Sequence, residues 1–242
     1  MNFIADTHCH TVASSHAYNT IDENAAYAAK IGLKALAITD HAPAMPDGAH
    51  LWHFHNLHTL PRRIDGVFIL RGAEANIVDF DGSIDLDRYT LHSLEWVIAS
   101  FHRPVCEPST EENHTPAYIK VAQNPRVTVI GHCGTAMYGF DHEKAVKAFK
   151  EYGKIVEINE GSTRVRKDSW NNCVDIARLC KKYEVPVVVN SDAHYKTNIG
   201  DFQKSVQMLE ELEFPERLIL NADETRFFDT IKKMCGINLD EE

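Results

Sequence analysis

The chain has 242 residues, 44% hydrophobic and 25% charged, which is enough for a sizeable core and within the range of one α/β barrel. Its formal net charge of -10 disfavours a nucleic-acid backbone as partner, although divalent cations bound in a site would reverse the local field for an anionic substrate. Met1 to His8 carry neither the basic nor the apolar region of a secretory signal, and no apolar run approaches the roughly 20 residues of a membrane span. The six cysteines include no C-x-x-C pair, so a cytoplasmic protein with reduced thiols and no membrane partner is expected.

Short β-branched or apolar runs alternate with amphipathic stretches along the chain. The runs are Phe3-Ile4-Ala5, Ala35 to Ile38, Val67 to Leu70, Trp96 to Ala99, Val127 to Ile130, Ile155 to Ile158 and Val187 to Val189, with a weaker one at Leu218-Ile219-Leu220. Nearly all-apolar runs suit strands covered on both faces, as in parallel sheets. Thr20-Ile21-Asp22-Glu23 reads as a capping box opening a helix through Ala29 that Gly32 ends. Asp141 to Tyr152, Asp168 to Tyr183 and Gly200 to Leu212 carry further helical patterns. This alternation predicts βαβ units, and the strand count predicts a closed or nearly closed parallel barrel forming one domain over residues 1–242. Residues 42–61, with four histidines and Trp52, and residues 103–116, with three prolines, read as long irregular loops of the kind that often carry function.

The fourteen histidines are the compositional oddity, and their placement carries the argument. Asp6, His8 and His10 follow the first run, with His16 further on. Thr39-Asp40-His41 follow the second, Glu74 the third, His102 the fourth, His132 the fifth, and Asp192-Ala193-His194 the seventh. Histidines and carboxylates thus gather at the strand C-termini, the face where barrel enzymes hold their chemistry. The i, i+2 spacing of His8 with His10, and of Asp192 with His194, puts each pair on one face of an extended chain. His8, His10, His16, His41, Glu74, His102, His132, Asp192 and His194 offer more donors than one tetrahedral ion can use, which predicts two or three metals sharing a carboxylate. Nitrogen and oxygen donors without thiolates favour zinc, with Mn2+ or Fe2+ as substitutes. Cys9 and Cys133 adjoin ligand histidines and read as small neighbours rather than ligands. Arg103, Arg164 and Arg166 are candidates for gripping phosphate, and His50, His53, His55 and His58 with Trp52 for a lid or substrate wall.

The ordered strings Asp6-Thr7-His8-Cys9-His10-Thr11, Thr39-Asp40-His41, Glu74, His102, Gly131-His132 and Asp192-Ala193-His194 resemble the successive motifs of the PHP (polymerase and histidinol phosphatase) family, over residues 6–194. The length is similar to that of its short stand-alone bacterial phosphatases. The resemblance implies a distorted (β/α)7 TIM-like barrel with about three zinc ions. One would be held by His8, His10, Glu74 and Asp192, a second by Glu74, His102 and His132, and a third by His16, His41 and His194. It implies a homo-oligomer, with a trimer as one form. Asp6 and Asp40 are then expected behind the ligands, orienting imidazoles. The expected activity is hydrolysis of small phosphate monoesters by a zinc-activated hydroxide, with Glu74, Asp192 and His194 as catalytic residues. The alternatives are a nuclease of the PHP kind and an amidohydrolase-like barrel hydrolase. Neither accounts as well for the acidic charge and for His41 with the His16/His194 set.

Overall fold

The strands are β1 (Ala5–Cys9), β2 (Ala35–Ile38), β3 (Arg63–Ile64), β4 (Val67–Asn76), β5 (Trp96–Ser100), β6 (Val129–Ile130), β7 (Ile155–Asn159) and β8 (Val187–Asn190), in a computed structural model that describes residues 1–166 and 168–237. Seven of them lie parallel in the order β1-β2-β4-β5-β6-β7-β8. β3 pairs antiparallel with β4 across Asp65-Gly66, both at positive φ (50° and 81°), the backbone a two-residue hairpin requires. Beyond β8, Ala193 bridges Cys9 and accepts a 2.9 Å hydrogen bond from the His10 N–H, bringing the sheet round to β1. The result is the nearly closed, distorted (β/α)7 barrel expected.

The helices are α1 (Ile21–Lys30), α2 (Leu51–Asn56), α3 (Arg88–Ser93), α4 (Glu111–Gln123), α5 (His142–Glu151), α6 (Ser162–Val165), α7 (Trp170–Tyr183), α8 (Gln203–Glu211) and α9 (Glu224–Cys235). The capping box of α1 is present: the Glu23 N–H donates to Thr20 Oγ1 while Glu23 accepts from the Thr20 N–H. Four expectations need correction. Leu218-Ile219-Leu220 is no strand; it lies in two 3-10 turns, and only Ile219 makes a single parallel bridge to Val187. Residues 42–61 are not wholly irregular, since α2 and a 3-10 turn occupy the second half. Residues 103–116 run into α4, which takes in Pro116. The first strand begins at Ala5 rather than Phe3 and itself carries Asp6 and His8.

Strand alternation sets what faces the barrel interior. Ala35, Ala37, Phe68, Leu70, Trp96, Ile98, Val129, Ile155 and Val188 form one buried cluster with Phe227 and Ile231 of α9, which plugs the N-terminal end. The intervening residues, such as Leu36, Ile38, Val97 and Val187, pack in the clusters formed with the surrounding helices. Continuing each interior column toward the C-terminal end brings up Glu74, Ser100, Glu157 and Asn190, all buried. The column is therefore apolar at the floor and polar at the mouth. In β1 a bulge between Asp6 and Cys9 shifts the phase, so that Ala5 joins the floor while His8 and His10 meet interior carboxylates at the mouth. Where β1 and β8 do not pair directly, the Asn221 side chain spans the gap. Its amide nitrogen donates to the Ala5 and Val189 carbonyls at 2.8 and 2.7 Å, and its oxygen accepts from the Val189 N–H at 3.1 Å.

Candidate metal centre

At the mouth, all nine residues singled out from sequence converge. Glu74, fully buried on β4, is the hub, and its two oxygens face different partners. Oε1 lies 2.8 Å from His132 Nε2 and 3.3 Å from His102 Nε2. Oε2 lies 2.9 Å from His41 Nδ1, 3.4 Å from His8 Nε2 and 3.6 Å from His10 Nε2. Asp192 Oδ1 approaches His10 Nε2 at 3.3 Å and His8 Nε2 at 3.6 Å, while Oδ2 accepts from Arg166 at 3.0 Å. His194 stacks on His10 with ring centroids 4.2 Å apart. His16 sits 4.4 Å from the His194 ring and 5.2 Å from that of His41, with about half of its side chain exposed. Asp192 and His132 hold positive φ values of 56° and 23°, an unusual backbone for side chains of this kind and one that recurs at functional sites.

The far side of the imidazoles is held as firmly. His8 Nδ1 is 2.6 Å from Glu157 Oε1, His102 Nδ1 is 2.7 Å from Asn76 Oδ1, and His194 Nδ1 is 3.1 Å from the Asp192 carbonyl. His16 Nδ1 pairs with Asp47, and His10 Nδ1 meets Ser14 Oγ at 3.4 Å. Each of these five rings thus has its Nδ1 engaged, which leaves Nε2 as the acceptor, the arrangement that ligand histidines adopt. The Asn76 amide is oriented by its own neighbours, because its nitrogen is committed to Asp85 Oδ2 at 2.6 Å and the Ala42 carbonyl at 3.1 Å.

Burial alone would push Glu74 and Asp192 toward protonation, yet the surrounding imidazoles, and Arg166 beside Asp192, hold both well below the usual carboxylate range. Burial, with His41 and His194 nearby, pushes His10 down to about 3, and burial with Arg166 pushes His132 down to about 4, so both are neutral donors. Burial opposes charge on His8, but Glu157, Glu74 and Asp192 together raise its pKa well above the usual value.

The residues fit a group of cations. Nε2 of His8, His10, His102 and His194, Nδ1 of His41 and Oε2 of Glu74 are buried and make no hydrogen bond. Leaving such atoms unpaired costs about 1–3 kcal/mol each, which bound cations would offset. Among the described residues, three trios have donor atoms within 4.8 Å of one another: His8–His10–Glu74, His41–Glu74–His102 and His10–His41–His194. Each trio shares two or three members with one of the ligand sets that the family resemblance implies. They differ in grouping His41 rather than His132 with His102, and His10 rather than His16 with His194.

Several supporting residues were not singled out from sequence. Glu157 is the chief one: it also accepts from the His132 N–H at 2.7 Å and from Asn190 at 2.9 Å, so one carboxylate steadies two candidate ligands. The available signal was a glutamate inside an otherwise apolar run. Asp47 and Asn76 gave no comparable signal. Asp40 accepts from Thr11 and Ser14 and lies 3.2 Å from His53 Nε2, whereas Asp6 bonds no imidazole among the described residues. Its carboxylate ties the β8 loop to β1 through Ser191 and the Gly200 N–H. Arg164 and Arg166 border a cavity of ≈ 460 Å³ over the cluster, with His16, His41, His102 and Met45. Arg103 instead pairs with Glu107 on the surface. Of the loop histidines only His53 reaches the residues beneath the cluster, 3.2 Å from Asp40; His55 bonds Thr90, and Trp52 is three-quarters exposed. Cys9 gives its thiol to the Ala37 carbonyl, and burial pushes the thiols of Cys9 and Cys133 well up.

A PHP domain family matches residues 6–161, most of the barrel and seven of the nine clustered donors. The chain belongs to the PHP family. Proteins similar to it along nearly their full length include a "Probable phosphatase" of Caldicellulosiruptor saccharolyticus, 45% identical over 97% of this chain and 98% of its own. Another, from Clostridium botulinum, is 42% identical over 99% of this chain and 100% of its own. Among solved structures, histidinol phosphate phosphatase of Lactococcus lactis, complexed with zinc, L-histidinol and phosphate, superposes with a TM-score of 0.59 at 17% identity, covering 87% of this chain and 94% of its own. At that identity the likeness speaks for the PHP fold. No helix among the described residues is long and apolar enough to cross a membrane.

Proposed function

We propose that this protein is a metal-dependent phosphatase hydrolysing small phosphate monoesters, with zinc as the preferred metal. The observation that carries the reading is the division of labour at Glu74: its two oxygens face separate sets of imidazoles whose metal-facing nitrogens have no other partner. The relatives named probable phosphatase, and the zinc and phosphate in the Lactococcus lactis structure, support the same chemistry. Seven imidazoles and two carboxylates favour zinc over the hard, all-oxygen sites of magnesium or calcium.

In this reading His8, His10, Glu74 and Asp192 hold one cation, Glu74, His102 and His132 a second, and His16, His41 and His194 a third. When bound, such cations supply Lewis acidity toward phosphoryl oxygens and lower the pKa of a coordinated water. The chain's own residues do the rest. Glu157, Asn76, Asp47 and Ser14 fix ring orientation. Arg166, donating to Asp192 Oδ2 at 3.0 Å and Asn159 Oδ1 at 3.2 Å, sets positive charge on the cavity wall where phosphate oxygens enter. Arg164, paired with Asp201 at 3.0 Å, adds to it nearer the rim. A cavity of ≈ 460 Å³ suits a small ester rather than a polymer.

Elemental analysis of the purified protein, paired with p-nitrophenyl phosphate hydrolysis before and after chelation, tests the reading. About three metals per chain and activity restored by zinc or manganese support it. At most one metal and no ester cleavage with any added cation overturn it.

A further inference from the structure

Behind His10, on the side away from Glu74, lies a chain of polar groups that ends on α2. Asp40 Oδ1 accepts from the Thr11 N–H at 2.7 Å and from Ser14 Oγ at 2.8 Å. Asp40 Oδ2 accepts from Thr11 Oγ1 at 2.8 Å and lies 3.2 Å from His53 Nε2. Asp40 is fully buried, and the Thr11 N–H, Thr11 Oγ1 and Ser14 Oγ all donate to its oxygens. Ser14 Oγ is itself met by the His41 backbone N–H at 3.0 Å and by His10 Nδ1 at 3.4 Å.

A serine hydroxyl has one hydrogen and two lone pairs. An ionised carboxylate can only accept, so the Ser14 hydrogen is pinned on Asp40. Both lone pairs then face donors, one being the His41 N–H, and His10 must carry its own proton on Nδ1. Its Nε2 is left bare toward Glu74 and Asp192, where it has no hydrogen-bond partner.

We infer that Ser14, Asp40 and His53 form a tautomer lock, a set of positioning residues that hold His10 in the Nδ1–H form required of a metal ligand. The inference rests on the metal-centre reading above and deepens it. His53, the far member, places its Nε2 3.2 Å from Asp40 Oδ2, closing the side of the carboxylate away from Ser14. This gives α2 a specific task behind the site. Without the lock the Ser14 hydrogen is free to turn toward His10 Nδ1, which moves the imidazole proton to Nε2 and blocks the coordinating atom.

The test uses metal-free, 15N-histidine-labelled full-length protein and long-range 1H–15N correlation, with His10 assigned from the spectrum of His10→Asn. The expected result is the Nδ1–H tautomer for His10 in the wild type. Asp40→Ala, which removes the acceptor of the Ser14 hydrogen, is expected to populate the Nε2–H form. It should also weaken zinc binding, measured by chelator competition, by about 10–100-fold. Ser14→Ala should weaken zinc binding in the same direction. His53→Gln, which keeps a donor toward Asp40, should restore what His53→Leu loses. An Nε2–H tautomer in the wild type, or zinc affinity unchanged in both Asp40→Ala and Ser14→Ala, overturns the lock. These readouts use the metal-free protein and zinc alone. A wild type that binds zinc but cleaves no phosphate ester would therefore sink the proposed function and leave the tautomer result standing.

Discussion

Glu157 Oε1 lies 2.6 Å from His8 Nδ1, while its other oxygen accepts the His132 backbone N–H at 2.7 Å. One buried carboxylate on β7 thus steadies donors supplied by β1 and by the end of β6. Carboxylates placed behind ligand histidines in this way orient the ring and raise its basicity. Glu157→Gln keeps the shape and removes the charge, so zinc affinity should fall by about 10–100-fold with little change in fold. Chelator competition together with far-UV circular dichroism checks this, and an affinity within twofold of wild type would contradict it.

Glu74→Gln strikes the hub itself. Because both oxygens are used, the substitution should lower metal content by more than one ion per chain. It should also depress phosphate-ester hydrolysis well beyond the ~10–100-fold typical of residues behind the ligands. Metal content measured beside kcat separates the two effects, and full occupancy with full activity would refute the hub role.

Metal removal should be visible in stability as well as in turnover. A cation held at a thousand times its Kd stabilises the folded chain by about 4 kcal/mol. For a chain of this size that corresponds to about 8–16 °C in Tm. Thermal scans of chelated protein, before and after zinc return, should show a shift of this order. Coincident curves would mean that the cluster binds nothing tightly.

Lys154 gives a pH dependence remote from the site. Its ammonium donates to the Asn124 and Val127 carbonyls at 2.7 and 2.6 Å, and burial pushes its pKa from 10.5 down to about 8. Between these values the unfolded chain binds more protons, so this group's contribution to stability rises with pH through the window and is least favourable below 8. In urea melts the stability difference, wild type minus Lys154→Met, should therefore move in favour of wild type from pH 7.5 to pH 10. A constant gap would count against the shift.

The barrel floor should be separable from the mouth. Phe227 is fully buried among interior strand residues. Phe227→Ala should cost about 3–5 kcal/mol of stability while metal content at low temperature stays unchanged. Loss of metal in a still-folded variant would show that floor and mouth are coupled.

Much of this architecture was legible in the sequence because the same residues carry both periodicity and chemistry. Strands are named by apolar runs, and six of the seven main runs are followed within a few residues by a histidine or carboxylate of the cluster, so fold and cluster came together. What escaped was set by contacts distant in sequence. The Ile219 segment has strand-like composition, but the Asn221 side chain takes the positions a strand would fill at the seam. The bulge in β1 follows from the need to close the barrel, which no local pattern announces, whereas α9 carries its own stops, with Asp223 accepting from the Arg226 N–H at its start and Gly236 in the left-handed region at its end. Glu157 was visible as a letter inside an apolar run, yet only its inward parity, fixed by the register of β7 against β8, gives it a role. Asp47 and Asn76 serve through tertiary neighbours and have no spacing of their own to betray them.

The seam between β1 and β8 also has a bearing on time. Thr7 and Asn190, hydrogen-bonded across it, stand 183 residues apart in sequence. A ribosome working at about 5–20 residues per second therefore exposes His8 and His10 some 10–40 s before Asp192 and His194 arrive. During that interval the growing chain displays a histidine pair without its aspartate, and any cation it picks up is held by an incomplete set. The full donor set therefore exists only once translation has passed the last of the clustered residues.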